Sequence, residues 1–260
     1  MDLELRGKRA LVTGASKGIG RAVAEVLADE GCDLDLVARG QGELETLASR
    51  LTTSNGVRAR AHVADLSRPA DQQALAEACA GVDILVNNAG AIPGGEIDDI
   101  NEERWRQAWD LKVFGYINLT RSLLASMKAR GRGVIINIIG SAGERMAPGY
   151  IAGSSGNAAL MAFTRALGAR STDFGIRVVG INPGLTATDR AVFLLRQRSE
   201  KMFGTPERWR DCLKEMNLPF GRMGEAREVA DLAAFLASPR ASYMSGTVVT
   251  IDGGAVNRNL

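Results

Sequence analysis

Residues Thr13 to Gly20 read TGASKGIG, with glycines spaced to hold a phosphate group rather than to attack a substrate. The loop lies between a short apolar run, Arg9 to Val12, and an amphipathic helical stretch. A dinucleotide's pyrophosphate asks for that placement. Gly14 permits the tight turn, Gly18 lets the backbone approach the phosphates, and Gly20 lets the helix pack close to the sheet. The free N–H groups at the helix start then aim at the anion, with Ser16, Lys17 and Ile19 completing the candidate contact set.

Other chemistry-bearing residue types are sparse. His62 is the only histidine and falls in a strand pattern, where a structural role is expected, so a Ser-His or metal mechanism has no support. Cys32, Cys79 and Cys212 are odd in number, widely spaced and set in apolar contexts. They read as buried free thiols of a reducing compartment, and no metal is expected.

The elements that must position the loop alternate regularly. Strand candidates are RALVT, DLDLVA, RARAHV, DILVNN, GVIINII, IRVVGIN and TVVTID, separated by helical stretches such as RAVAEVLADEG, ELETLASRL and ADQQALAEACA. Strict alternation predicts right-handed crossovers and an α/β fold: a Rossmann-like, doubly wound sheet of about seven parallel strands with helices on both faces. Ligand then belongs at the carboxyl ends of the strands. One domain over residues 1–260 is expected, because the chain shows no repeat, low-complexity tract or linker. Residues 190–224, rich in Arg, Met and Phe, form the one irregular stretch and occupy the place of a substrate lid; an extra surface helix pair is the plainer reading.

Charge excludes several classes of partner. Lys plus Arg number 32 against 30 Asp plus Glu, a net charge of +2 with no basic stripe for nucleic acid. The start MDLELRGKRA carries charges where a signal peptide needs an apolar stretch, and no segment approaches the ~18 apolar residues of a membrane span. A cytoplasmic protein acting on a small molecule is expected.

Beyond TGASKGIG, the chain carries VADLS at 63–67, NNAG at 87–90, INPGLTATD at 181–189 and SGTVVTIDGG near its end. In that order and spacing the five motifs resemble the short-chain dehydrogenase/reductase family over nearly the whole length. The resemblance implies that Asp65 and Leu66 bracket the adenine, and that Asn88, Ala89 and Gly90 line the ribose. It also implies that Thr186 and Thr188, after the Pro183–Gly184 turn, bond the nicotinamide amide or the phosphates. The closing TVVTIDGG strand resembles the segment through which family members pair, implying a homodimer or homotetramer.

Cofactor preference follows from charge. A free ribose favours an acid at the end of the second strand, roughly 20 residues past the glycines. That strand ends Val37–Ala38–Arg39, and Lys17 adds a second cation in the loop. A guanidinium with an ammonium suits a 2′-phosphate, so NADP(H) is expected over NAD(H).

The family's reaction is run by a tyrosine and a lysine one helical turn apart, with a serine and an asparagine beside them. The ammonium lowers the phenol's pKa, and the phenol exchanges a proton with the substrate oxygen. Here the helix reads AGSSGNAALMAFTRALG, and its AAL and FTRAL segments place the tyrosine at Gly153 and the lysine at Asn157. NIIGSAG places the serine at Gly140, and KVFGYINLTR places the asparagine at Lys112. All four positions are changed.

Lys112 has two readings: a relocated ammonium near the nicotinamide ribose that acts as proton donor or electrostatic clamp, or a solvated helix residue. Tyr150, three residues before the usual site, either leans its phenol into the pocket or packs at the helix start. Ser141 reads as a turn residue, Ser154 or Ser155 as caps or cavity lining, and Tyr116 as core on the face of Lys112. Trp105 and Trp109 read as anchors of that helix or a subunit contact. Glycine at 140 and 153 is expected to leave room beside the nicotinamide. These readings converge on an NADP(H)-dependent oxidoreductase of an organic carbonyl, alcohol or activated double bond, with non-standard proton transfer. Two alternatives stand beside it: an NADP(H)-binding sensor or partner subunit without redox activity, and a non-redox lyase or cyclase on the same fold.

Overall fold

Seven runs of β-branched and aliphatic residues pair as one wholly parallel sheet in the order β3-β2-β1-β4-β5-β6-β7. The strands are β1 (Arg9–Thr13), β2 (Asp33–Ala38), β3 (Ala59–Val63), β4 (Ile84–Asn87), β5 (Gly133–Ile138), β6 (Ile176–Pro183) and β7 (Thr247–Ile251). The structure, a computed structural model, describes residues 1–258. Because both faces are covered, the central strands are apolar along their length instead of alternating. Ala10 and Val12 belong to one core and Leu11, between them, to the other.

The first core lies against α1 (Gly18–Asp29), α2 (Gln41–Asn55) and α10, which the chain reaches last (Ala226–Ala237). The second is covered by α3 (Pro69–Ala78) and α5 (Gly115–Arg130), with α4 (Glu102–Trp109) leading into α5. A short α6 (Ala142–Arg145) precedes the long α7 (Ile151–Ser171), which packs on β6 and β7. The strand order reverses between β1 and β4, and ligands of open parallel sheets gather at that switch point. No helix among the described residues is long and apolar enough to cross a membrane.

Two elements depart from the sequence pattern. Asp110–Phe114, between α4 and α5, is a π-helical turn, and Lys112 sits at its centre. Such turns are rare and concentrate at functional sites, because the extra residue per turn re-aims its side chains. The irregular 190–224 stretch folds mostly into α8 (Asp189–Phe203) and α9 (Trp209–Glu215).

Candidate functional site

A cleft of about 510 Å³ opens at the carboxyl ends of β1, β4, β5 and β6 and contains both halves of the candidate site. Its first half is built from backbone. Gly14 and Gly18 have positive φ of 65° and 55°, as the tight loop demands. A Cβ on Gly20 would overlap the Gly14 carbonyl and the Asn88 amide, so glycine there is enforced by packing. Thr13 locks the loop to β4: its Oγ1 accepts the N–H groups of Asn88 at 2.8 Å and Ala89 at 3.0 Å. Asn88 in turn donates Nδ2 to the carbonyls of Thr13 and Gly14. The start of α1 has neither a side-chain cap nor an acid in its first turn, which leaves its N–H groups to an anion.

Gly14, Ser16, Lys17, Gly18, Ile19, Arg39, Leu66, Asn88, Ala89 and Gly90 line this half of the cleft; Pro183, Gly184, Thr186 and Thr188 line its other wall. Two expected contacts are differently employed. The Asp65 carboxylate accepts the N–H and hydroxyl of Ser67, and the wall beside it is Ala64 and Leu66. Lys17 Nζ pairs with Glu43 at 3.0 Å, so its charge is already shared with a carboxylate. Arg39 is exposed and forms no ion pair among the described residues. The close-approach glycines and the uncapped helix start fit the pyrophosphate of a nicotinamide dinucleotide.

The second half is built from side chains at the end of β5. Three consecutive carbonyls there receive three donors. Tyr116 Oη donates to Ile138 O at 2.9 Å, Lys112 Nζ donates to Ile138 O at 3.3 Å and Ile139 O at 2.8 Å, and Asn157 Nδ2 donates to Gly140 O at 3.3 Å. Lys112 is therefore not a solvated surface lysine. Its stem runs over Gly90, where a Cβ would come within 2.6 Å of Cδ, and its ammonium lies 5.5 Å from the Tyr116 ring centre. Burial with no carboxylate partner brings its pKa down to about 8.

The two glycines do not leave an open floor. A Cβ on Gly153 would overlap the Tyr150 ring, so that ring occupies the space a side chain at 153 would take. Tyr150 lines the cleft, and burial raises its phenol's pKa against the opposing charge of Arg190. Gly140 has φ of +134°, and a Cβ on it would stand 2.9 Å from Asn157 Nδ2. Each glycine is thus paired with a neighbouring side chain: Gly153 with Tyr150, Gly140 with Asn157. Asn157 Oδ1 is buried and accepts no hydrogen bond. Ser154 and Ser155 donate to the carbonyls of Ala147 and Ile151 rather than lining the cleft, and Ser141 sits in the turn before α6. Trp109 Nε1 donates to Ala152 O, anchoring α4 to α7.

Sequence reading missed two features. Arg190, at the start of α8, lines the cleft and donates Nη2 to Ile92 O at 2.5 Å; an arginine in the TATDR segment was the available signal. Away from the cleft, Asp35, His62 and Cys79 place ligand-type atoms within 4.8 Å of one another. His62 Nε2 lies 2.8 Å from Asp35 Oδ1, while Arg9 Nε donates to Asp35 Oδ2 at 2.5 Å. Burial pushes the Cys79 thiol up to about 12, so it stays protonated and the cluster's charges are spent on one another. All three cysteines are free and buried.

Known proteins carry the same arrangement of chain. The family model described as short chain dehydrogenase matches residues 8–199. Oxidoreductase UcpA of Salmonella typhimurium is 37% identical over 259 residues, covering 97% of this chain and 95% of that protein. Galactitol 2-dehydrogenase (L-tagatose-forming) of Cereibacter sphaeroides is 35% identical over 255 residues, covering 96% and 95%. Among solved structures, L-sorbose reductase from Gluconobacter frateurii, complexed with NADPH and L-sorbose, superposes with a TM-score of 0.91 at 33% identity and 99% coverage of both chains. With the glycine loop, the parallel sheet and the switch-point cleft in place, the chain belongs to the short-chain dehydrogenase family of oxidoreductases.

Proposed function

We propose that this protein is an NADP(H)-dependent oxidoreductase of a small organic carbonyl, alcohol or activated double bond, in which Tyr150 and Lys112 replace the family's usual proton-handling pair. The observation that carries this reading is the Tyr150 ring, seated over Gly153 in the wall of the cleft that Lys112 also lines. When bound, NADPH supplies the hydride. The protein's own task is to orient the substrate and to hold a proton for the atom that gains electrons. Tyr150 holds that proton, because burial keeps its phenol protonated at neutral pH. Lys112, its pKa brought down to about 8 by burial, supplies positive charge beside Gly90 and Gly140 at neutral pH.

NADP(H) over NAD(H) rests on Arg39 at the end of β2 and on the absence of an acid there. The sorbose reductase, solved with NADPH, supports the same preference. Residues 190–224 act as the lid, since Arg190 and Leu194 of α8 face the cleft. A homodimer or homotetramer paired through the β7 segment completes the reading, and sedimentation in solution tests it.

The activity test is loss of reduced-nicotinamide absorbance with a panel of ketones, aldehydes and enones, alongside NADPH binding measured by fluorescence. Tight binding with reduction of at least one panel class is expected. Tight binding with no reduction of any substrate leaves the sensor or partner-subunit reading. Product formed without change at the nicotinamide points to a lyase or cyclase.

A further inference from the structure

Arg190 is set apart from the other part-buried arginines by how little holds it. Arg177 donates to the carbonyls of Met244, Ala237 and Ser238, and Arg130 to those of Ala80 and Val82. Those two staple the backbone. Among the described residues Arg190 donates to one carbonyl, Ile92 O, and its guanidinium lies 5.3 Å from the Phe193 ring centre. A guanidinium has five N–H donors in a planar fork, and among the described residues Arg190 forms no ion pair. It lines the same cleft as Tyr150 and Lys112.

The charge around it is one-sided. Lys112 and Arg190 line this end, and the one carboxylate among the described residues of the cleft wall, Asp189, is exposed and forms no ion pair with Arg190. A half-buried cation without a carboxylate is stabilised by whatever anion enters. A planar fork with its remaining donors free matches a planar carboxylate better than any neutral group.

We propose that Arg190 anchors a carboxylate on the substrate, so that the cleft selects anionic oxo- or enoic acids over their neutral counterparts. The proposal rests on the oxidoreductase reading above for the identity of the cleft, but its test does not depend on turnover.

The experiment is isothermal titration of the enzyme saturated with NADP⁺, where no hydride can be delivered, using 4-oxopentanoate and its methyl ester. The acid is expected to bind about tenfold to a hundredfold more tightly than the ester, as a charge-assisted bidentate contact allows. Arg190→Gln removes that preference, and Arg190→Lys, which keeps the charge but not the fork, retains only part of it. Raising ionic strength narrows the preference in the native enzyme. Equal affinities for acid and ester overturn the proposal, as does a preference that survives in Arg190→Gln. A loss of NADP⁺ affinity in Arg190→Gln with the acid preference intact also overturns it, by assigning the guanidinium to the cofactor. Should Arg190→Gln fail to fold, the native and Arg190→Lys ratios decide, equal ratios contradicting the anchor. Reduction of trans-4-oxo-2-pentenoate and its methyl ester by NADPH separates the two claims. If neither these nor any member of the ketone, aldehyde and enone panel is reduced yet the acid preference holds, the oxidoreductase reading falls and the anchor stands. If both are reduced equally well and the preference is absent, the anchor alone falls.

Discussion

The two ends of the cleft are built on different principles. At the nucleotide end, recognition is a matter of backbone: Gly14, Gly18 and Gly20 clear space, and Thr13 and Asn88 tie β1 to β4 through main-chain groups. At the other end the contacts belong to side chains gathered around the carbonyls that close β5, Lys112 on Ile138 and Ile139 and Asn157 on Gly140, with Tyr150 over Gly153. A backbone cradle tolerates few residue types, so it keeps its pattern. A side-chain site needs only the right group in the right volume, and a neighbour on the next turn can supply it.

That contrast can be broken most sharply at Lys112. Lys112→Ala is expected to lower kcat/KM about a thousandfold while the NADPH dissociation constant stays within about threefold, since positioned acid–base groups contribute on the order of 10²–10⁴. Parallel steady-state kinetics and fluorescence titration check it; a large loss of NADPH affinity would show the two ends to be one unit. Tyr150→Phe, which keeps the ring over Gly153 and removes only the hydroxyl, should cost about a hundredfold in turnover, with KM for NADPH unchanged. A normal rate in Tyr150→Phe leaves the ring as packing alone.

Acidity sharpens the same boundary. Burial depresses the pKa of Lys112 to about 8, so its cation is present below that pH and lost above it. Reduction should therefore fall as pH rises through about 8, and Lys112→Arg, charged throughout, should move that alkaline limb upward. A pH profile of kcat/KM for both proteins reads this directly. The smallest effect belongs to the nucleotide end. Arg39→Ser should shift the NADPH-to-NADH preference about tenfold toward NADH, as loss of a phosphate-paired guanidinium predicts. Lys17→Ala should shift it less, because Glu43 already occupies that ammonium.

Sequence pattern carried the sheet and the glycine loop because both depend on local rules. Apolar runs of five or six residues with helical stretches between them admit few architectures, and each strand matches its expected span within about two residues. The reaction end was legible in position but not in outcome. Lys112 and Asn157 do meet the chain around Gly140, and Gly153 meets Tyr150, yet the spacing of these residues reads as loss. Nothing in AGSSGNAAL reveals that Tyr150 fills the volume over Gly153, because that contact depends on how α7 begins. Nor does DLKVF announce a π-helical turn. Asp35, His62 and Cys79 are illegible for a related reason: they lie on two adjacent strands and a helix end and meet only once the chain is folded.

The central claim is that an unaltered nucleotide cradle serves a relocated proton-handling pair. A crystal structure of the enzyme with NADPH tests it most directly. The account predicts the nicotinamide ring at the end of β5, with the Tyr150 hydroxyl and the Lys112 ammonium both facing the space beside it, and Lys112 still bonded to Ile138 and Ile139. A nicotinamide that lies away from both groups, or one that packs against the Tyr150 ring and shuts its hydroxyl off from the cleft, would contradict it.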